Sequence, residues 1–311
     1  MADVTITRWG ERFSSPVVLA SGPAGFGLEL VGNIDLSRIG ALTTKTVTPK
    51  ARAGNPQPRL VDCPAGALNS IGLDNPGLVA FREQILPRLA ELPTQLFVSL
   101  TASTAEAVGH LVAQLSELPA LRTIELNLSC PNVSGGVIGA DEDLVRAYAR
   151  AARAAFEGVL LAKLPGDAGN LLVSVGAALD AGADGVTLIN SLRGMRIDWQ
   201  AGRPFLKSVF GGLSGPAILP IALARVYEVR RAFPQAVIVG TGGVVNLGSL
   251  VEMLMAGADL VGIGFGLMAD PQVGCRLSVE LARWLDERGM QSVNEIFGVA
   301  QGGGLGVHRS S

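Results

Sequence analysis

Short apolar runs recur along the chain, and segments with helical spacing lie between them. Eight of these runs are rich in Val, Ile, Leu and Thr, as buried strands are, and they occupy residues 16–21, 41–47, 96–100, 123–129, 158–164, 185–190, 236–242 and 260–266. Segments 104–118 and 142–156 carry apolar residues at helical spacing, and the second begins with two acids, as a helix N-terminus favours. Eight strand–helix alternations predict an α/β fold, a (β/α)8 TIM barrel, with an open doubly wound sheet as the alternative.

The domain organisation follows from the absence of a linker. No stretch rich in Pro, Gly and Ser divides the 311 residues, so we expect residues 1–311 to form a single domain. Residues 49–78 and 190–216 are long for barrel loops and rich in Gly and Pro. Loops of that length usually carry a binding site or a subunit contact, and we expect these two to lie over the C-terminal face of the barrel.

The overall composition excludes several classes of function. A net charge of −2 gives no electrostatic reason to bind nucleic acid or an anionic membrane surface. No apolar run approaches the roughly 20 residues that span a bilayer, and the N-terminal segment lacks the pattern of a signal peptide. The three cysteines lie far apart, which favours a reducing cytoplasm over disulfides, and they are too few for an iron–sulfur cluster. With only two histidines, we expect no metal site.

Polar side chains stand at the ends of several predicted strands. In run 123–129, alternation directs Glu125, Asn127 and Ser129 to the inside of the barrel. Neighbouring runs place Lys45, Lys163 and Asn190 near their C-terminal ends. Because active sites of these barrels lie at the C-terminal strand ends, we expect these groups to share one pocket.

The two lysines indicate the charge of the ligand. Only four of the 25 lysine and arginine residues are lysines, and two of these, Lys45 and Lys163, follow apolar strand segments. A buried ammonium group needs an acceptor or an anion. The pair therefore predicts a ligand that is anionic or gains negative charge during reaction. The alternative is that both side chains extend from the barrel rim into solvent.

Glycine-rich turns follow the last two predicted strands, at residues 240–244 and 262–266. The loops after these strands commonly bind phosphate in barrels, and glycine allows the main chain to approach it closely. The turns therefore favour a phosphate-bearing ligand, although tight turns between strand and helix also use glycine.

Cys130 is the candidate proton acceptor. It lies just past a predicted strand end, in the polar turn "NLSCPNV", whereas His110 falls in a helical segment and His308 in the C-terminal tail. A thiol with an ordinary pKa near 8.5 can accept a proton once a nearby cation lowers that pKa. An ordinary buried cysteine is the alternative for Cys130, and it is our interpretation of Cys63 and Cys275.

Several ordered motifs carry a family resemblance. They are "TKTVTPKARAGNPQPR", "LNSIGLDNPG", "ELNLSCPNVSGG", "GADGVTLINSLRGMRID", "GGLSGPAI" and "GTGGV". With them the chain resembles the family 1 dihydroorotate dehydrogenases, most closely the catalytic subunit of the NAD-linked subfamily, over nearly its whole length. The resemblance implies an FMN-containing (β/α)8 barrel that oxidises dihydroorotate to orotate in pyrimidine biosynthesis. Cys130 would remove the proton from C5, and a hydride would pass from C6 to the flavin.

The resemblance also assigns site residues. Lys45 would lie between flavin and substrate and, with Cys130, serve in catalysis. The substrate would contact Lys45, Asn69, Ser70, Ile71, Gly72, Leu73, Asn127, Asn132, Asn190 and Ser191. FMN would contact Ser21, Lys45, Thr46, Ser99, Asn127, Lys163, Ile189, Gly215, Gly242, Gly243, Gly264 and Phe265, with Lys163 at the ring edge where negative charge accumulates on reduction.

The chain departs from the family pattern at three places. "ASGPAG" replaces a more usual Ala-Ser-Gly-Thr-Phe-Gly, Phe265 stands where threonine is common, and Ser99 stands where this subfamily often has asparagine. These departures allow a paralogue with another dihydropyrimidine-like substrate. A dihydropyrimidine dehydrogenase domain, however, would have histidine at Asn132 and an insertion after the sixth strand.

Other families of flavin or phosphate-binding barrels, and the other branches of this family, differ from this chain in specific sequence features. A tRNA-dihydrouridine synthase would need a basic surface, and a non-catalytic phosphate-binding barrel would leave Cys130 without a role. The quinone-linked branch has an N-terminal extension and a serine base, which disfavours it here. The NAD-linked branch implies a homodimer joined by an electron-transfer subunit that carries FAD and a 2Fe–2S cluster; the fumarate-linked branch is less favoured.

Overall fold

A computed structural model describes residues 1–118, 121–129, 137–167 and 169–302. Eight parallel strands form a closed barrel in the order β3-β4-β7-β8-β9-β10-β15-β16, which confirms the TIM barrel and excludes the open sheet. In chain order the strands are β1 Ile6–Arg8, β2 Glu11–Phe13, β3 Val17–Leu19, β4 Ala41–Thr43, β5 Leu60–Cys63, β6 Gly66–Asn69, β7 Gln95–Leu100, β8 Thr123–Asn127, β9 Val159–Pro165, β10 Gly185–Asn190, β11 Leu192–Gly194, β12 Ile197–Asp198, β13 Arg203–Pro204, β14 Gly211–Ser214, β15 Val237–Thr241 and β16 Leu260–Ile263.

Helices cover the outside of the barrel. They are α1 Gly77–Ala80, α2 Leu86–Leu89, α3 Ala105–Ser116, α4 Glu142–Arg153, α5 Leu171–Asp180, α6 Leu219–Ala232, α7 Leu247–Ala256, α8 Phe265–Ala269 and α9 Val273–Asp286, with a π-helical segment Phe81–Ile85 between α1 and α2. The two helices predicted from spacing, α3 and α4, are confirmed. Thr104 Oγ1 accepts a hydrogen bond from Ala107 N at the start of α3, and Asp141 Oδ1 accepts from Leu144 N at the start of α4. These side chains satisfy main-chain N–H groups that a helix start leaves free.

The strict alternation of strand and helix fails at the first strand. Between β3 and β4 the described residues form only short 3-10 turns, Leu28–Leu30 and Leu36–Arg38. The C-terminal helix α9 packs against β3 instead. A Cβ at Gly274 would lie 3.0 Å from Leu19 Cδ2, so glycine allows the close approach of α9. A helix from the far end of the chain thus completes the outer layer, which local spacing could not indicate.

The two long segments fold together above the barrel. Strands β5 and β6 of the first pair with β14 and β11 of the second in a four-stranded antiparallel sheet, ordered β11-β14-β6-β5. In its centre Gly212 lies opposite Asn69. The sequence predicted two loops here, and the structure corrects this. The pairing joins segments far apart in sequence, and short glycine-containing strands give little local pattern.

A hairpin, β1–β2, closes the opposite end of the barrel. Trp9 Nε1 donates to Asp184 O at 3.1 Å, just before β10 begins. Arg8 Nε lies 2.8 Å from Asp259 Oδ1, just before β16. The hairpin therefore covers the N-terminal strand ends and leaves the C-terminal ends open. Among the described residues no helix is long and apolar enough to span a membrane.

Candidate active site

A cavity of about 870 Å³ opens at the C-terminal strand ends, between the barrel and the four-stranded sheet. The barrel strands supply its floor, and the sheet supplies one wall. The structure brings most of the residues assigned from sequence into this one cavity: Ser21, Lys45, Thr46, Asn69, Ser70, Ile71, Gly72, Leu73, Asn127, Lys163, Ile189, Asn190, Ser191, Gly215, Gly242, Gly243, Gly264 and Phe265.

A chain of hydrogen bonds crosses the floor of the cavity. Thr46 Oγ1 lies 3.0 Å from Ser99 Oγ and accepts from Asn127 Nδ2 at 3.0 Å. Asn127 Oδ1 accepts from Ser129 Oγ at 2.6 Å, and Ser129 Oγ in turn accepts from Asn190 Nδ2. These hydrogen bonds link side chains on or beside the second, third, fourth and sixth barrel strands. The position of each amide therefore depends on its neighbours.

These hydrogen bonds determine which side-chain atoms of Asn127 and Asn190 remain available to a ligand. The oxygen of Asn127 is used by Ser129, and the oxygen of Asn190 accepts from Ser191 N at 2.8 Å. Each amide nitrogen donates once within the described structure, to Thr46 or to Ser129. An amide nitrogen carries two hydrogens, so one N–H of each has no acceptor in the described structure and is available to a ligand. The floor therefore offers donors, which fit carbonyl and carboxylate oxygens.

Lys163 does not extend into solvent. It lies within β9 and is only 5 % exposed, which contradicts the rim alternative for this lysine. Its Nζ is 3.8 Å from Glu125 Oε1, and no hydrogen-bond acceptor for it lies among the described residues. Glu125, 2 % exposed, accepts from Thr187 Oγ1 at 3.0 Å. These are the only two buried ionisable side chains from the lysine, arginine, histidine and acidic classes in the part of the chain described.

Lys45 adds a second cation to the cavity. It follows β4 by two residues, is half-buried, and lines the cavity. No acidic group of residues 1–118, 121–129, 137–167 or 169–302 forms an ion pair with it. The cavity thus contains two ammonium groups, and only one of them has a protein counter-charge in the described structure. An anionic ligand, or one that becomes anionic, fits this arrangement.

The glycine turns form the far end of the cavity. Gly242 and Gly243 follow β15 with φ of 129° and 80°. A Cβ at Gly243 would lie 2.6 Å from Leu219 Cβ, so this turn requires glycine. Gly264 and Phe265 stand at the start of α8 and line the same end. Three of these four residues are glycines, whose main chain a phosphate group can approach closely.

Of the residues assigned from sequence, one described residue does not line the cavity and two lie outside the described residues. Ser99 is fully buried beneath Thr46 and reaches the cavity only through that hydroxyl. Cys130 and Asn132 lie outside the described residues, as does His308. Cys130 follows Ser129, a floor residue, directly in the sequence.

The residues interpreted as non-functional lie away from the cavity. His110 is exposed on α3, and Cys63 is half-buried on β5. Cys275 is buried in α9, where its Sγ lies 3.3 Å from Asp35 O, and burial raises the pKa of this thiol. The described residues contain no group of three His, Cys, Asp or Glu side chains that could hold a metal ion.

Sequence reasoning missed several lining residues. They are Ala20, Gly22, Pro23, Arg52, Asn55, Arg59, Leu60, Asp74, Gly211, Gly212, Ser214, Ile218, Thr241 and Met268. Ser129, which was predicted to face inward but received no role, also lines the cavity. Arg52 and Arg59 belong to a motif that carried the resemblance, residues 44–59, but only Lys45 and Thr46 of that motif were assigned. Arg59 forms an ion pair with Asp74 at 3.1 Å, and Arg52 Nε donates to Gly72 O. Glu125 was predicted to face inward but received no role.

A closed (β/α)8 barrel with a polar, cationic cavity at its C-terminal strand ends has the architecture of a barrel enzyme. Residues 3–285 match the family model described as dihydroorotate dehydrogenase. The chain belongs to the dihydroorotate dehydrogenase family.

Curated relatives match nearly the full length of the chain. The "dihydroorotate dehydrogenase B (NAD(+)), catalytic subunit" of Pelobacter propionicus is 38% identical over 96% of this chain and 99% of its own. The protein of the same description from Bacteroides thetaiotaomicron is 38% identical over 97% of this chain and 100% of its own. Among solved structures, an Eimeria tenella DHODH in complex with ferulenol superimposes with a TM-score of 0.78, covering 96% of this chain and 89% of that chain. At 20% identity this last likeness concerns the fold alone.

Proposed function

We propose that this protein oxidises (S)-dihydroorotate to orotate, with FMN as its cofactor, in pyrimidine biosynthesis. The observation that carries the proposal is a single cavity with two lysine ammonium groups, amide donors on its floor and glycine turns at its far end. It occurs in a chain 38% identical to proteins described as dihydroorotate dehydrogenase B catalytic subunits.

The described residues fit FMN. An ammonium that is 5 % exposed and has no hydrogen-bond acceptor in the described structure needs a partner, and the electron-rich edge of a flavin ring provides one. The turns at Gly242–Gly243 and Gly264–Phe265 would hold the phosphate. The residues proposed to contact the cofactor are Ser21, Lys45, Thr46, Asn127, Lys163, Ile189, Gly215, Gly242, Gly243, Gly264 and Phe265, with Ser99 supporting Thr46. When bound, FMN supplies the acceptor for the hydride that leaves C6 of the substrate.

The floor and the four-stranded sheet fit the substrate. The N–H groups of Asn127 and Asn190 would donate to substrate carbonyl and carboxylate oxygens, and Lys45 would add a cation beside them. Asn69, whose Nδ2 donates to Gly212 O at 3.2 Å, is held at the edge of the sheet. Ser70, Ile71, Gly72, Leu73 and Ser191 complete the proposed substrate wall, and Asn132 joins them on the sequence resemblance alone.

Cys130 is the proposed base. In this role its thiolate removes the proton from C5 of dihydroorotate while the hydride leaves C6, so the substrate loses two electrons and two hydrogens. The support is the sequence: Cys130 directly follows Ser129 of the floor. Lys45 and Lys163 are cations of the same cavity, and cations favour the thiolate form that a proton acceptor needs.

The proposed assembly includes further subunits. The relatives are described as catalytic subunits of NAD(+)-type enzymes, which supports a partner electron-transfer subunit with FAD and a 2Fe–2S cluster. We also propose a homodimer and a cytoplasmic location. The segment beyond β10 exposes Met195, Ile197, Trp199 and Phe210, and Trp199 is 82 % exposed. Apolar side chains of this kind are typical of subunit contacts.

Anaerobic mixing with dihydroorotate tests cofactor, substrate and reaction together. The purified protein, supplied with FMN, should show flavin absorbance that bleaches on addition of dihydroorotate, and orotate should appear in equal amount. Dihydrouracil under the same conditions is the control for a paralogue of the dihydropyrimidine dehydrogenase type. Absence of bound flavin would refute the proposal that FMN is the cofactor. Bleaching by dihydrouracil but not by dihydroorotate would refute the proposal that dihydroorotate is the substrate.

A further inference from the structure

Glu125 and Lys163 form a buried ion pair below the cavity floor. Their side chains are 3 % and 7 % exposed, and their closest charged atoms are 3.8 Å apart. Lys163 lies opposite Asn127 on β8 and opposite Thr187 on β10. Glu125 precedes Asn127 by two residues on β8 and faces the same side. It is therefore one layer deeper in the barrel than the floor, and it does not line the cavity.

The hydrogen bonds of the pair are unequal. Thr187 Oγ1 donates to Glu125 Oε2, whereas Oε1 has no hydrogen-bond partner in the described structure. At 3.8 Å, the contact with Lys163 Nζ is an attraction between charges rather than a hydrogen bond. The ammonium thus keeps its donors for a ligand in the cavity, while the carboxylate offsets its charge from below.

We infer that Glu125 is a counter-ion that lowers the reduction potential of the bound flavin by offsetting the charge of Lys163. The inference rests on the proposed function, because it requires FMN in the cavity. A cation at the ring edge favours the reduced, more negative ring over the oxidised one. A buried carboxylate next to that cation opposes this preference, and little solvent is present to screen it. Glu125 touches no ligand and acts only through Lys163.

The test is the two-electron midpoint potential of bound FMN in Glu125→Gln. Glutamine keeps the size of the side chain and an oxygen for Thr187, but it removes the negative charge. The affinity for reduced relative to oxidised FMN should rise tenfold or more, a shift of about +30 mV for a two-electron couple. Lys163→Met is the matched control for the other half of the pair, and its potential should fall.

A second variant, expected to shift the midpoint potential in the opposite direction, keeps the inference testable if Glu125→Gln does not fold. Thr187→Val removes the hydroxyl that donates a hydrogen bond to the Glu125 carboxylate. Without that hydrogen bond, more of the negative charge acts on Lys163. The affinity for reduced relative to oxidised FMN should fall about threefold, which lowers the midpoint potential by roughly 15 mV. An unchanged or lowered potential in Glu125→Gln would overturn the inference, as would an unchanged or raised potential in Thr187→Val.

The outcomes separate this inference from the proposed function. If the unsubstituted protein binds no flavin, or if dihydroorotate does not reduce the flavin, the proposed function fails. If the unsubstituted protein binds FMN and is reduced normally while Glu125→Gln keeps its potential, only the role of Glu125 fails.

Discussion

The two ends of the barrel use charged side chains in opposite ways. At the closed end, the carboxylate of Asp259 accepts from Arg8 Nε at 2.8 Å, from Arg230 at 2.5 Å and from Ile238 N at 2.8 Å. At the open end, Lys163 has one counter-charge at 3.8 Å and no hydrogen-bond acceptor within the described structure. Protein groups therefore satisfy the Asp259 carboxylate at the closed end, whereas the described residues satisfy the Lys163 ammonium at the open end only in part.

This difference supports the open end as the proposed ligand-binding end, independently of the relatives. Burial of a charge is unfavourable unless protein groups satisfy it. The ion pairs of Asp259 meet that requirement, and they hold the β1–β2 hairpin against the strand starts. The ammonium of Lys163 does not meet it with the described protein groups, which is why we propose that a bound ligand completes its surroundings. Substitutions at the two ends should accordingly affect different measurements.

The largest expected effect is that of Cys130→Ala on the chemical step. Loss of the proposed base should lower the rate of flavin reduction by dihydroorotate by about 10²–10⁴, while bound FMN is retained. Stopped-flow absorbance measures the rate. Cys63→Ala is the matched control, because Cys63 lies on β5 and does not line the cavity. Fast reduction in Cys130→Ala would remove this thiol from the mechanism.

Asp259→Asn should act on stability and not on the site. It leaves Arg8 and Arg230 without their anion, and we expect a loss of about 2 kcal/mol in the free energy of unfolding. Urea denaturation measures this loss. The KM for dihydroorotate should stay unchanged, because the open end is untouched. A raised KM with normal stability would contradict the separation of the two ends.

Ser129→Ala should have a smaller and more specific effect at the open end. It removes the hydroxyl that joins Asn127 to Asn190, so that each amide loses one of the hydrogen bonds that hold it. The KM for dihydroorotate and the dissociation constant for orotate should rise about tenfold, equal to roughly 1.4 kcal/mol. FMN content should change less than orotate binding, because the ten other proposed FMN contacts remain. Ser208→Ala, on the exposed part of the second long segment, is the control that should bind orotate normally.

The smallest effect concerns the two thiols outside the cavity. Burial raises the pKa of the Cys275 thiol, so less thiolate is present at any given pH. In a Cys130→Ala background, iodoacetamide should therefore modify Cys275 more slowly than the half-buried Cys63. Peptide mass spectrometry measures both rates, and unfolding in urea should bring them close together. Labelling of Cys275 that is faster than that of Cys63 in the folded protein would show that the Cys275 thiol is not buried beneath α9.

Part of the site was predictable from the alternation of barrel strands, and most of its other residues were assigned only by the family resemblance. Inward direction of Asn127 and the position of Lys163 near a strand end were sufficient to predict their convergence, and the cavity confirms it. The position of Ser99 beneath Thr46 was not predictable, because alternation does not show the depth of a side chain below the floor. The partner of Lys163 was not predictable either, because Glu125 and Lys163 meet across neighbouring strands, in a register that only the closed barrel defines.

By itself, the sequence determined the eight barrel strands, the helices α3 and α4, the glycine turns and the set of polar residues at the strand ends. Local spacing and residue type control these features. Only the tertiary structure decided that two long segments form one sheet above the mouth, that α9 covers β3, and that Lys163 is paired from below and open to the cavity from above. These features depend on contacts between distant residues and on burial, and neither is encoded in a local pattern.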